Sequence, residues 1–149
     1  MEMICPACHR PLARKGDGYS CTSCSRTYGR DRSGYLDFTL EAMLRDVATT
    51  SEGYASEQLS SWPRFYLEYL KPWVDRERTE RILEVGCGLG VGIALFNRDH
   101  YEAHGIDLPD LAAHWARASR DPRYFIIGDG GRTPFPDGYF DAVITLGTI

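Results

Sequence analysis

A chain of 149 residues has room for one modest domain, or for a small module and part of a larger one. Its 43% hydrophobic and 26% charged shares are those of an ordinary globular protein and exclude a fibrous or low-complexity chain. The net charge of −4, the lack of any apolar run of membrane-span length and a start, MEMICPAC, without a charged stretch ahead of an apolar core point to a cytoplasmic protein with no membrane span and no secretory signal.

Residues 4–24 read ICPACHRPLARKGDGYSCTSC. Cys5 and Cys8 form one CxxC pair, and Cys21 with Cys24 forms a second after twelve intervening residues. Each pair can present two thiolates to one ion. The spacer has hairpin length, and four sulfurs in a tetrahedral array suit Zn(2+). A disulfide pair, disfavoured in a reducing compartment, and iron in a rubredoxin-like site are the alternatives. His9 directly follows Cys8 and reads as a surface residue. So small a segment buries little core, so metal binding should supply its folding energy.

The same segment is basic. Up to Gly34, Arg10, Arg14, Lys15, Arg26, Arg30 and Arg32 stand against Glu2, Asp17 and Asp31, which is +3 and leaves −7 for the remainder. A basic zinc module can touch RNA phosphates, although ordinary surface charge explains +3 as well. The first ~40 residues resemble the small zinc-ribbon domain found ahead of many methyltransferases, through CPACHRPL, YSCTSCSRTYG and the GYLDF of residues 34–38. One departure is Gly29, where that family often has proline. Residues 1–38 are therefore read as a zinc-ribbon module.

Residues 39–60 read as a linker. Leu40, Met43, Leu44 and Val47 fit one short helix face, which Thr49, Thr50, Ser51 and Gly53 then break. A better helix begins at Ser61, a suitable N-cap, with Pro63 in its first turn and Pro72 at its end. Phe65, Tyr66, Tyr69 and Leu70 are expected to pack on a sheet. Residues 61–149 form the second domain.

At 81–92 the chain reads RILEVGCGLGVG. A short apolar run suited to a buried strand leads into three alternating glycines, Gly86, Gly88 and Gly90, and then into an apolar helix start. Strand, glycine loop and helix make a nucleotide-binding turn, since glycines admit a ligand where a Cβ would clash. The dinucleotide pattern G-x-G-x-x-G fails in either register: its last position is Val91 counted from Gly86 and Ile93 counted from Gly88. A phosphate loop is excluded because no Gly-Lys-Ser/Thr follows.

Three further strands follow. The first of them ends in Asp107, about twenty residues past the first glycine, where βαβ sites place a ribose-binding carboxylate. The next ends in Gly128 and Asp129, and the last runs from Phe140 to about Leu146. Cys87 reads as a small loop residue rather than a nucleophile. His104 reads as packed within its strand, and His114 as exposed on the following helix.

The pattern acidic-x-Gly-x-Gly-x-Gly from Glu84 resembles motif I of the class I, Rossmann-like S-adenosylmethionine-dependent methyltransferases. The run GDGGRTPFPDGYFDAVITLGTI resembles the segment of that family in which an Asp after strand three holds the adenine amino group. The resemblance covers roughly residues 60–149. It implies an α/β fold, a Rossmann-like parallel sheet with strands in the order 3-2-1-4 behind the ribbon, and S-adenosyl-L-methionine as cofactor. It implies that the loop of Glu84, Gly86, Cys87, Gly88 and Gly90 holds the methionine end. Asp107 would take the ribose hydroxyls, with Leu108 against the adenine, and Asp129 with Gly130 the adenine edge. Leu146 and Gly147 would lie near the reactive methyl. The metal ligands are Cys5, Cys8, Cys21 and Cys24. No catalytic base is named, because it would normally lie beyond this point.

A sheet of this family has seven strands, so the chain is expected to be a piece of a longer protein. The expected activity is methyl transfer to a small molecule, a quinone-type ring or RNA. The alternative is a non-catalytic cofactor-binding or ribbon adaptor protein. A nicotinamide-dependent enzyme is disfavoured by the glycine register.

Overall fold

The structure, a computed structural model, describes residues 1–40 and 52–146. Strands β1 (Ala13–Lys15), β2 (Gly18–Ser20) and β3 (Thr27–Tyr28) make a small antiparallel sheet. Gly16 takes φ 63° in the two-residue turn between β1 and β2, as tight hairpins require. His9 and Ser25, each directly after the second cysteine of a pair, turn the chain with φ of 56° and 58°. The two CxxC pairs are thus built as matching knuckles on either side of this hairpin.

The larger sheet is parallel. Its order is β4 (Leu36–Asp37), β7 (Phe125–Ile127), β6 (Glu102–Asp107), β5 (Arg81–Val85), β8 (Ala142–Thr145). The last four stand in the 3-2-1-4 order of a Rossmann-like fold, and β5 to β8 follow the sequence reading closely. The strand β4 was not foreseen. The end of the ribbon segment joins the edge beside β7, pairing Leu36 with Ile126 and Asp37 with Ile127.

The two faces of this sheet bury different partners. On one, Ile82, Ala103, Phe125 and Ile127 pack against α1 (Glu52–Phe65), α3 (Val91–Arg98) and α4 (Ala112–Arg117), with Trp62, Phe96 and Trp115 in the contact. On the other, Leu83, Ile106 and Ile126 share a core with Met3, Cys5, Cys21, Tyr28 and Phe38 of the ribbon. Phe38 is fully buried there, 4.9 Å from the Tyr28 ring, a burial worth roughly 2–3 kcal/mol. Backbone bonds from Ile4 N–H to Pro134 O and from Phe38 N–H to Ile127 O tie the ribbon to the sheet.

The helix ahead of the sheet differs from the sequence reading. It begins by Glu52, so Gly53 lies within it and Ser61 is not its N-cap. The Ser61 hydroxyl instead donates to Glu57 O, one turn back within α1. Pro63 also lies inside the helix. Pro72 does not end it: a single π turn, Tyr66–Leu70, precedes α2 (Lys71–Arg76), and the Lys71 N–H reaches back to Tyr66 O. Pro72 has no N–H to give, and widening by one residue is how such a ladder absorbs the gap. The wider turn buries Tyr66, whose hydroxyl donates to Asp99 at 2.9 Å. Met43, Leu44 and Val47 of the earlier helix face, and Gly147 at the end of the last strand, lie outside the described residues.

Candidate cofactor site and metal centre

Between β5 and α3 the chain makes its tightest sequence of turns. Gly86, Gly88 and Gly90 take φ of 72°, 52° and 68°. Gly90 is needed twice over, since a Cβ there would also stand 2.2 Å from Cε1 of Phe125. The loop is held from several sides. The Gly88 N–H donates to Asp107 Oδ2 at 2.7 Å, and the indole N–H of Trp115 donates to Gly88 O at 2.7 Å. The Leu89 N–H meets Gln58 Oε1 at 3.4 Å, and Arg120 Nε donates to Leu89 O at 3.3 Å.

Asp107 closes β6. Its Oδ1 accepts the Leu108 N–H at 2.7 Å while Oδ2 holds Gly88. Burial raises its carboxyl above the usual carboxylate range, against those two N–H groups and with the Asp110 charge adding to the rise. Glu84 lies near the end of β5, 1% exposed, and its Oε2 has no hydrogen-bond partner. Burial, then the nearby Asp107 charge, pushes its carboxyl well up.

Asp129 follows β7 and folds over its own loop, with Oδ1 accepting the Gly131 N–H at 2.8 Å. A Cβ on Gly130 would lie 2.4 Å from Cγ1 of Val85, so this loop packs directly on the end of β5. Three acids from three neighbouring strands thus stand at one end of the sheet, which is where open α/β sheets bind ligands. Leu146 reaches the same end: with Glu84 and Gly86 it lines a cleft of about 200 Å³, completed by Gln58, Ser61, Trp62 and Phe65 of α1. Gln58 lies in the stretch read as a linker, which is in fact part of α1, whereas Ser61 and Trp62 fall in the helix the sequence led to expect.

Cys87 turns inward. It is 2% exposed, and its sulfur would be 2.6 Å from a Cβ on Gly105, filling the space that glycine leaves on β6. Burial, then Glu84, raises its thiol, so it is no thiolate. Only its backbone belongs to the loop, its carbonyl accepting the Gly90 N–H at 2.9 Å. His104 is buried among Tyr124, Phe135 and Phe140 as expected, and His114 is half-buried.

At the ribbon, Cys5 Sγ lies 3.6 Å from Cys24 Sγ and Cys8 Sγ 3.5 Å from Cys21 Sγ, with all four sulfurs within 4.8 Å of one another. Bonds of ~2.3 Å from a tetrahedral ion put sulfurs roughly 3.8 Å apart, so the spacing fits one ion. A disulfide needs about 2.05 Å, and all five cysteines are free. The Cys24 N–H, acting against burial, lowers the Cys21 thiol to about 6, while, against the Arg10 N–H, burial and the neighbouring sulfurs push Cys8 up to about 12. The Tyr28 hydroxyl lies 3.0 Å from Cys5 Sγ and fixes that sulfur from outside the cluster. The four cysteines can therefore hold a metal. His9 is exposed and is not part of this cluster.

No helix among the described residues is long and apolar enough to cross a membrane. No curated protein matches the chain. A family model described as a methyltransferase domain matches residues 83–149, beginning inside β5 and spanning the glycine loop, Asp107 and Asp129. Strand order, loop and family match agree: residues 83–149 are a methyltransferase domain of the Rossmann-like class that uses S-adenosylmethionine.

Proposed function

We propose that the cofactor lies across the sheet end marked by Glu84, Asp107 and Asp129, and that the protein of which this domain is part transfers its methyl group to an acceptor. The observation that carries this reading is the Asp107–Gly88 bond, which fixes the glycine loop and a hydroxyl-accepting carboxylate as one unit. In this reading the loop from Glu84 to Gly90 takes the methionine end through Gly86, Gly88 and the Cys87 backbone. Asp107 accepts from the two ribose hydroxyls with its remaining lone pairs, and Leu108 lies against the adenine. Asp129 and Gly130 meet the adenine edge. Leu146 stands beside the reactive methyl.

When bound, S-adenosylmethionine supplies an already activated methyl group, so the protein's task is positioning and exclusion of water. Cys5, Cys8, Cys21 and Cys24 hold Zn(2+), which orders residues 1–38. The acceptor classes are a small molecule, a quinone-type ring or RNA, in the cytoplasm.

The test uses S-adenosylmethionine labelled in its methyl group, incubated with the zinc-loaded protein and in turn with RNA, a quinone-type ring and a small-molecule extract. Label transferred to one class, and lost with Asp107→Ala, supports methyl transfer and names the class. Tight cofactor binding with no transfer to any class favours the non-catalytic alternative.

A further inference from the structure

The cleft beside the glycine loop has an unusual lining. Glu84 is among its lining residues, 1% exposed, and Oε2 of its side chain has no hydrogen-bond partner. Beside it stands the Trp62 ring. A Cβ on Gly92 would lie 2.8 Å from Glu84 Oε2, 2.7 Å from Trp62 Cζ3 and 2.9 Å from Trp62 Cη2. The carboxylate and the benzo ring therefore converge on one point, and the bare backbone of Gly92 in α3 is what lets them.

Ser61 lines the same cleft, and its hydroxyl hydrogen is already given to Glu57 O, so it offers the cleft only lone pairs. No Lys or Arg is among the lining residues. An uncompensated acid, a hydroxyl spent as a donor and an aromatic ring make a site for a cation. An anion would meet nothing positive there.

Resting on the cofactor reading above, we propose that Trp62 is a positioning residue that forms the second wall of an ammonium site, with the α-ammonium of the cofactor's amino-acid end held between the Trp62 ring and the Glu84 carboxylate. The ring attracts the cation through its quadrupole, most strongly where water is excluded. Glu84 gains the partner its oxygen lacks. The helix α1 thus selects for a ligand that carries its charge at this one atom.

The test compares two ligands on the full zinc-loaded chain by calorimetry: S-adenosylhomocysteine, and its analogue with hydrogen in place of the α-ammonium. Both are neutral thioethers, so only the ammonium differs. The wild-type chain should prefer S-adenosylhomocysteine by a hundredfold or so. Trp62→Leu should cut that preference about tenfold and leave the affinity for the deaminated analogue within about threefold. A ring that merely packs would weaken both ligands alike, and that result, or an unchanged preference, overturns the proposal. Replacing the tryptophans by a fluorinated tryptophan keeps their shape and withdraws ring electron density. It should lower the preference in the same direction should Trp62→Leu fail to fold, and an unchanged preference there also overturns the proposal. Binding of neither ligand by the folded wild-type chain removes the cofactor reading itself, and this proposal with it. Binding of S-adenosylhomocysteine without any preference for the ammonium removes this proposal alone.

Discussion

Asp107 reaches across from the end of β6 to accept the Gly88 N–H at 2.7 Å, joining two strands' worth of site into one rigid corner. The indole of Trp115 holds the same residue from its carbonyl side, at 2.7 Å. A ligand meeting this loop finds it already shaped, with little ordering left to do on binding.

Removing that carboxylate should act on the loop and on the ligand together. Asp107→Ala leaves the Gly88 N–H without its charged acceptor, a loss of about 1.5–3 kcal/mol for a bond of this kind. S-adenosylhomocysteine affinity should fall at least tenfold in calorimetry. Asp107→Asn keeps an acceptor oxygen for Gly88 and should fall less.

Glu84 costs the fold stability at neutral pH. Its folded carboxyl titrates above the ordinary value of 4.5 because it is buried and lies near Asp107. As pH rises past 4.5 the unfolded chain gives up this proton while the folded chain keeps it. Folding stability from this group is therefore lost between 4.5 and the raised folded value, and the cost persists above it. Glu84→Gln should flatten that fall and raise the melting temperature at neutral pH, while weakening S-adenosylhomocysteine at least tenfold. Melting curves from pH 4.5 to 8 measure the first effect. An unchanged pH profile in the variant would contradict the burial argument.

Gly90 and Gly138 separate two costs that a left-handed glycine can carry. Both have φ near 70°, but a Cβ on Gly138 meets nothing within 4 Å, whereas on Gly90 it strikes the Phe125 ring. Gly138→Ala should cost about 1 kcal/mol from backbone strain alone. Gly90→Ala should cost roughly 2–4 kcal/mol, because overpacking is added. Urea denaturation of the two variants gives the comparison.

The ribbon and the sheet share a core, so metal loss should not stay local. Cys5 and Cys21 are buried in the same cluster as Leu83, Ile106 and Ile126. Chelation, or Cys21→Ser, should lower stability by on the order of 3 kcal/mol or more, roughly 10 °C for a chain of this size. Calorimetry should show the loss in a single transition. An early ribbon transition ahead of an unmoved second one would contradict the shared core.

What the sequence made legible was local. The glycine alternation permits the positive φ found at Gly86, Gly88 and Gly90, and the acids at successive strand ends need no knowledge of distant contacts. Cysteine spacing likewise points to a four-sulfur cluster. What stayed hidden depended on tertiary contact. Leu36 and Asp37 make a two-residue strand whose pairing with Ile126 and Ile127, ninety residues away, leaves no periodic trace. Ser61 and Pro63 mimic a helix start because the same residues suit an N-terminus and an exposed helix side. Trp62 borders the cleft only because α1 folds over the end of β5, a tertiary contact with no local trace.

The most direct test of the site is a calorimetric titration of the zinc-loaded chain with S-adenosylhomocysteine, repeated with a nicotinamide dinucleotide and with Asp107→Ala, folding being checked by circular dichroism. Saturable binding of S-adenosylhomocysteine alone, weakened tenfold or more in the variant, is the expected result. That factor corresponds to about 1.4 kcal/mol. A folded chain that ignores S-adenosylhomocysteine, or that binds the dinucleotide in its place, would contradict the assignment of this sheet end as a methyl-donor site.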